Sequence, residues 1–341
     1  MTDTLQHVIP PPAIETVAAE PPRPEPSAER AAPPVCHSPS TLDRPAFLMG
    51  FPFSYSTRVA NNPWMQDLDP REREPNLKRA YMQFLELYRF LSSEALVYLL
   101  PTPHRCGLQD LVFTGNMGVV LEHLAGRDAV VLSNFTSEPR RGETEIGRGF
   151  FEALGYETHV APRRFEGEAE LKHLRDNVYV GGYGIRSERE CYDWMERTFD
   201  MHIIKVALKD PYLYHLDCTC FPVTREHALI CTSLFEPAEV KEIERQVAVI
   251  DVSEDECYSG ICNNVRLSNT ILNGTHLHDL KRGTEDYEYE LGKNRRLEDI
   301  AAGLAFEVSY FNLGEYLKGG ALLSCMVMHL NRHSYNFQLT I

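Results

Sequence analysis

A mixed α/β fold, assembled from a recurring strand–strand–helix–strand unit that closes on itself, is what this sequence predicts. Strand pairs alternate with single helices about five times along the chain. The pattern lacks the strict strand–helix–strand cadence and the glycine fingerprint of a doubly wound nucleotide fold. Size and composition agree: 341 residues, 43% hydrophobic and 24% charged, are those of a globular protein with room for one large domain or two ordinary ones.

Residues 1–44 form a separate regime. Pro10-Pro11-Pro12, Pro21-Pro22, Pro24, Pro26, Pro33-Pro34 and Pro39 lie among Ala, Glu and Ser without hydrophobic periodicity. Such a composition buries too little apolar surface to offset its conformational entropy, so a disordered Pro-rich tail is expected, with the folded domain at 45–341. The first strand is expected near Ala46-Phe47-Leu48-Met49, followed by a polar loop ending in Asn62-Pro63-Trp64-Met65. Tyr81, Phe84, Leu85, Tyr88 and Leu91 repeat at helical spacing and predict an amphipathic helix over 78–93. The run 95–100 reads as strand and stops at Pro101-Thr-Pro103. Strands at 119–121 and 129–132 flank a turn, and a helix over 141–154 ends at Gly155. Strands follow at 157–161 and 178–181, then a helix over 188–199 and a strand at 202–207. The stretch 214–221 reads as a buried strand, with another at 228–232 and a helix over 237–245. Strands at 247–252, 265–267 and 270–273 precede a helix over 295–305, a strand at 307–310 and a short turn or helix at 312–317. The chain then passes Gly319-Gly320 and closes on Met328-His-Leu330.

Charge and cysteine content exclude several functions. A formal net charge of −15 argues against nucleic acid, which calls for clustered Lys and Arg, and is compatible with a cationic small substrate. The longest apolar runs are too short to span a bilayer, and the first residues lack a secretory signal. Nine cysteines without such a signal point to free thiols in a reducing, cytoplasmic compartment. Cys218-Thr-Cys220 and Cys257…Cys262 lack the paired spacing of a zinc site, so no metal is expected. The pattern assigns no cofactor and no oligomeric state.

The chemistry centres on Tyr214-His215-Leu216-Asp217. In an extended chain His215 and Asp217 share one face, and two titratable groups on an apolar strand are either satisfied there or functional. Taken alone, a hydrogen-bonded core histidine beside a surface aspartate is the plainer reading. Cys325 follows a glycine pair, which lets a substrate approach the backbone, and a thiol there is a nucleophile if its pKa is lowered; a buried inert cysteine is the alternative. His215 serves as general acid and base only if it meets that thiol in space. Asp110, Glu166 and Asp217 offer carboxylates to a cation, and Asn62, Asn116 and Asn264 offer neutral amides, although asparagine is also a common turn residue.

In this order the stretches resemble the guanidino-group-modifying enzymes, the pentein superfamily of arginine deiminases, dimethylargininases, amidinotransferases and arginine dihydrolases. The resemblance spans about residues 46–331. It rests on Phe47-Leu-Met49 with Asn62-Pro-Trp-Met65, on Asp110-Leu-Val-Phe-Thr-Gly-Asn116-Met-Gly118, and on Phe165-Glu166-Gly167. Gly182-Tyr-Gly-Ile-Arg186-Ser187, His215-Leu-Asp217 and Gly319-Gly320 before Cys325 complete it. The Asn-Pro-Trp-Met and Phe-Thr-x-Asn pieces are most similar to the arginine dihydrolase branch. The resemblance implies a five-bladed α/β propeller with its site in the central channel. It implies a covalent reaction in which Cys325 attacks the guanidinium carbon and His215 protonates the leaving amine and then activates water. Glu166 and Asp217 would hold the guanidinium nitrogens. Asp110, Asn62, Asn116 and Asn264 would complete the substrate site, and Arg140 and Arg186 match positions for the substrate carboxylate. Hydrolysis to ornithine or citrulline is the leading expectation, and amidino transfer to an amine, or a non-catalytic pentein that binds partners, the alternatives.

The chain departs from the family pattern in two places. Ala321-Leu322-Leu323 replaces a glycine-rich, often polar approach to the cysteine, so bulky Leu322 and Leu323 are expected to reshape the pocket. Glu168-Ala169-Glu170 stands where relatives commonly have Gly-Asp.

Overall fold

The computed structural model describes residues 38–103, 106–124 and 126–337. From the amino end come β1 (Ala46–Gly50), α1 (Pro63–Asp67), α2 (Leu77–Glu94) and β2 (Leu96–Leu100). Three complete units follow: β3 (Gly118–Val120), β4 (Ala129–Leu132), α3 (Glu143–Ala153) and β5 (Glu157–Val160); β6 (Leu171–Arg175), β7 (Val178–Tyr183), α4 (Arg189–Phe199) and β8 (His202–Ala207); β9 (Cys220–Pro222), β10 (His227–Ile230), α5 (Pro237–Glu244) and β11 (Ala248–Asp251). After α6 (Glu254–Tyr258) the last unit comprises β12 (Asn264–Leu267), β13 (Thr270–Gly274), α7 (Glu285–Gly303) and β14 (Glu307–Phe311). The short α8 (Gly314–Leu317) leads to β15 (Val327–His329).

These strands form five three-stranded sheets, the five blades of the pentein fold. In every blade the first strand is antiparallel to the second and the second parallel to the third, which a helix crossover requires. The first blade obeys the same rule with a strand from the far end of the chain: β15 pairs antiparallel with β1, in the register Phe47↔His329 and Met49↔Val327. That pairing brings Cys325, two residues before β15, back to the start of the chain.

Helices form where the apolar spacing predicted them. On α2, Ala80, Phe84, Leu87 and Leu91 are buried, and the Asn76 side chain accepts the Arg79 amide as N-cap. On α7 the helix begins at Glu285, ten residues ahead of the expectation. Its first half buries polar groups: Lys293 Nζ donates to Asn273 Oδ1 and Gly274 O, both at 2.8 Å, and lies 3.0 Å from Glu290 Oε1. A helix face satisfied by hydrogen bonds leaves no hydrophobic period to read. β6 carries Lys172, His173 and Arg175 among its five residues, and α1 and α6 are five residues each, too short to show a hydrophobic period.

The expected strand over 214–221 is corrected. His215 is extended (φ −122°, ψ 151°), but Leu216–Cys218 turns into a 3₁₀ helix and the strand starts at Cys220. The boundary at residue 44 also shifts, because residues 38–44 pack on the domain. Pro39–Thr41 is a 3₁₀ turn, Asn331 Nδ2 donates to Pro39 O and Arg44 O at 2.9 Å each, and the Ser40 hydroxyl bonds Asp128. The remaining tail, 1–37, lies outside the described residues. Among the described residues no helix is long and apolar enough to cross a membrane.

Candidate active site

Each inner strand is preceded by a tight turn, and these turns carry the polar residues of the site. Thr114–Asn116 precedes β3, Gly167–Ala169 precedes β6, Leu216–Cys218 precedes β9, and Ser324–Met326 precedes β15. A 3₁₀ turn exposes side chains on successive sides, so residues from four blades converge without strand alternation. Thr114 Oγ1 locks two of the turns together, donating within reach of both Leu48 O (2.8 Å) and Met326 O (2.9 Å). Gly167, at φ +62°, lets its turn press on the Asn116 backbone; a Cβ there would meet Asn116 C and O at 2.7 Å.

A cavity of about 340 Å³ brings together Cys325, His215, Glu166, Asn116, Asp110 and Asn62, with Arg140 and Arg186 in its wall. His215 Nε2 donates to Glu166 Oε2 at 2.8 Å. That contact leaves Nδ1 without a protein partner among the described residues. The other Glu166 oxygen accepts the Thr136 amide at 3.1 Å and lies 3.8 Å from Arg186 Nη1. Burial pushes the Glu166 carboxyl up, but the hydrogen bond and charge of His215, then Arg186 and Arg140, overcome it and hold the group at about 2.

Asp217 stands behind the thiol, with Oδ2 3.7 Å from Cys325 Sγ and 2.6 Å from the donating Ser324 hydroxyl. Burial, reinforced by the Asp217 charge, pushes the Cys325 thiol up to about 12. Cys325 is therefore a neutral thiol beside a carboxylate, an arrangement that a bound cation converts toward thiolate.

Asp110 accepts from Asn61 Nδ2 (2.6 Å) and Gln109 Nε2 (3.3 Å); burial raises its carboxyl despite Arg140. Asn116 is buried in the cavity wall with its Nδ2 unpartnered. Asn62 reaches the cavity, yet its polar atoms are committed: Oδ1 caps α1 at the Met65 amide and Nδ2 donates to Gly319 O. Arg140 spends its Nε–Nη2 edge on Glu143 at 2.8–3.2 Å. Arg186 donates to Asn61 O at 2.6 Å and stacks 4.8 Å over Tyr214.

Three expectations are corrected. Asn264 is not in this cavity; its amide donates to Ile261 O and accepts from Asn273, a buried structural link. Its neighbour Asn263 reaches the site instead, with Oδ1 accepting the Ser324 amide at 2.8 Å and Nδ2 3.9 Å from Cys325 Sγ. The available signal was position: Asn263 immediately precedes β12, where the other blades place their site residues. The glycine pair is corrected only in part: Gly319 lines the cavity, whereas Gly320 (φ +74°) serves packing, because a Cβ there would meet the Asn62 side chain at 2.6 Å. Leu322 and Leu323 leave the cavity alone: Leu323 is buried in the core and Leu322 rests on Gly260 and Gly274, so Ala321 faces the cavity.

Comparison with known proteins adds a family. The model for eukaryotic N,N-dimethylarginine dimethylhydrolases matches residues 51–332. The bifunctional arginine dihydrolase/ornithine cyclodeaminase AgrE of Nostoc sp. is 30% identical over 292 residues, 83% of this chain and 37% of that protein. This chain thus spans little more than a third of that relative. The N-terminal domain of ArgZ, a cyanobacterial arginine dihydrolase, bound to substrate, matches with TM-score 0.72 and 26% identity, over 84% of this chain and 98% of that one. The same ArgZ domain is also known covalently bound to a reaction intermediate. The dimethylarginine hydrolase of Pseudomonas aeruginosa, complexed with citrulline, shares the fold with TM-score 0.61 at 18% identity, covering 84% of this chain and 99% of that chain.

Proposed function

The chain belongs to the N,N-dimethylarginine dimethylhydrolase family of guanidino-modifying enzymes, and on that premise we propose that it hydrolyses the guanidino group of arginine or a near relative through Cys325. The observation that carries this reading is one cavity holding the Cys325 thiol, the Glu166–His215 pair and Asp110, with Asp217 directly behind the sulfur.

The guanidinium enters between Glu166 and Asp217, whose charges orient a planar cation. Its positive charge offsets the carboxylate beside the sulfur, and the thiol proton passes to His215. The sulfur forms a bond to the guanidinium carbon. As the C–N bond breaks, the imidazolium returns that proton to the departing nitrogen, and ammonia leaves. Glu166 stabilises the imidazolium while it exists. His215 then takes a proton from water, whose oxygen bonds to the same carbon, and cleavage of the C–S bond frees the product and restores the thiol. Citrulline results from one such cycle, and ornithine from hydrolysis of its ureido group by a second water, which releases a second ammonia and the carbon as carbon dioxide. Arg186, with Arg140 behind it, faces the carboxylate end of the substrate. Eight described cysteines are free, which supports the reducing cytoplasm as the working compartment.

Incubation with arginine, methylated arginines and other guanidino compounds, with ammonia and methylamines measured, tests the reading. Ammonia from arginine is expected, and Cys325→Ser is expected to abolish it with the fold intact. Full turnover by that variant would overturn the covalent route. A new guanidino product formed when glycine or lysine is supplied would replace hydrolysis by amidino transfer.

A further inference from the structure

Behind the site lies a second, narrow chamber. Cys325 lines the first cavity, and Ser324, the residue before it, lines this one. Inner strands of four blades wall it, with Lys172 on β6 and His329 on β15, and Arg332 follows β15.

Its charge balance runs against that of the molecule. The chain carries −15 overall, yet this enclosed space has Lys172 and Arg332 against one carboxylate, Glu168. Glu168 is already engaged: Oε2 accepts from His329 Nδ1 at 2.8 Å and Oε1 from Arg332 Nη2 at 2.7 Å. Among the described residues Lys172 has no carboxylate within 4 Å. The surrounding groups add one charge of each sign. Arg225 Nη1 lies 3.2 Å from His173 Nδ1, while Glu122 accepts the Arg332 amide. Burial, with the charges of Arg332 and Arg225, holds His173 down at about 3; burial, with Arg332, holds His329 down at about 4. Both imidazoles are therefore neutral beside the paired Arg332 and the unpaired Lys172. The His329 Nε2 atom is buried with no hydrogen-bond partner.

Lys172, Arg332 and Arg225 outnumber Glu168 and Glu122 by one charge, and the field of that excess favours an anion. We propose that this chamber binds a small oxyanion, a phosphate or a short carboxylate, held by Lys172 and Arg332. The Arg332 guanidinium, which has nitrogens left beside the one bonded to Glu168, and the Lys172 ammonium suit oxygen ligands. A bound anion opposes the Arg332 charge that adds to burial in keeping His329 neutral, and so favours a proton on the unpartnered Nε2. The chamber also reports to the reaction site, because the Ser324 hydroxyl in its wall donates to Asp217 at 2.6 Å.

Calorimetric titration of the full chain with sodium phosphate and with sodium acetate, at ionic strength fixed by sodium chloride, tests this. Saturable binding of at least one is expected, and which one binds identifies the anion. Lys172→Met, at a half-exposed position that leaves the fold intact by thermal unfolding, is expected to weaken binding by about tenfold or more, and Lys172→Arg to retain it. Arg186→Met, in the other cavity, is expected to leave it unchanged. Absence of saturable binding by either anion, survival of binding in Lys172→Met, or its loss in Arg186→Met would each overturn the proposal.

Discussion

The carboxylate of Asp217 lies 3.7 Å from the sulfur of Cys325 through Oδ2, the same oxygen that accepts the Ser324 hydroxyl. One negative charge thus opposes the thiolate and attracts the cation whose arrival permits it. The two effects separate in Asp217→Asn. With the charge removed, alkylation of Cys325 by iodoacetamide at pH 8 is expected to run faster than in the wild type. Ammonia release from arginine is expected to fall on the order of a hundredfold or more, because the guanidinium loses its partner. Slower alkylation in the variant would show that Asp217 does not hold the thiol neutral.

Asn116 decides how far the reaction runs. Its side chain is buried in the cavity wall with Nδ2 unpartnered, so it is available to a substrate. An amide offers a donor to the ureido oxygen of citrulline, whereas an aspartate there sets acceptor against acceptor. Such a mismatch costs roughly 1–3 kcal/mol in a buried site. Asn116→Asp is therefore expected to stop at citrulline, with the ornithine share falling about tenfold. An unchanged product ratio by chromatography would remove this residue from the mechanism.

Glu168 makes stability sensitive to acid. Burial raises its carboxyl, but Arg332 and His329 outweigh that and hold it at about 2. A depressed carboxylate contributes stability that is present above its unfolded value, near 4.5, and lost as pH falls toward 2. Glu166 acts in the same direction, and so does neutral His329, whose loss begins lower than pH 6.5. Urea unfolding of Glu168→Gln is expected to show lower stability at pH 7 and a shallower decline between pH 5 and pH 3. Parallel curves for variant and wild type would contradict this.

Truncation separates the tail from its packed end. Deleting residues 1–37 is expected to leave turnover and thermal stability nearly unchanged, because the segment is poor in apolar residues. Deleting residues 1–44 removes the Pro39 and Arg44 carbonyls that Asn331 Nδ2 bonds. Leaving that buried donor unpaired costs about 1–3 kcal/mol, a visible loss in melting temperature. Equal melting temperatures for the two truncations would refute the role of residues 38–44.

The sequence by itself determined the blades. Apolar spacing on α2 and the apolar strands β4, β7 and β8 are local properties, and they repeat often enough to fix a cyclic α/β architecture. It also determined the chemical inventory, since Cys325, His215 and Glu166 meet in one cavity with Asp217 behind the sulfur. Tertiary structure decided what each group is free to do. Asn62 and Asn264 have the same side chain as Asn116, but Gly319, far along the chain, takes the Asn62 amide and nearby Ile261 and Asn273 take that of Asn264, while Asn116 Nδ2 stays open. His215 and Asp217 look like two residues on one strand face, yet a 3₁₀ turn sends one to Glu166 and the other to Ser324. Asn263, rather than Asn264, reaches the sulfur. Hydrogen-bond satisfaction depends on where the partners lie, and closure of five blades brings together partners that no local pattern encodes.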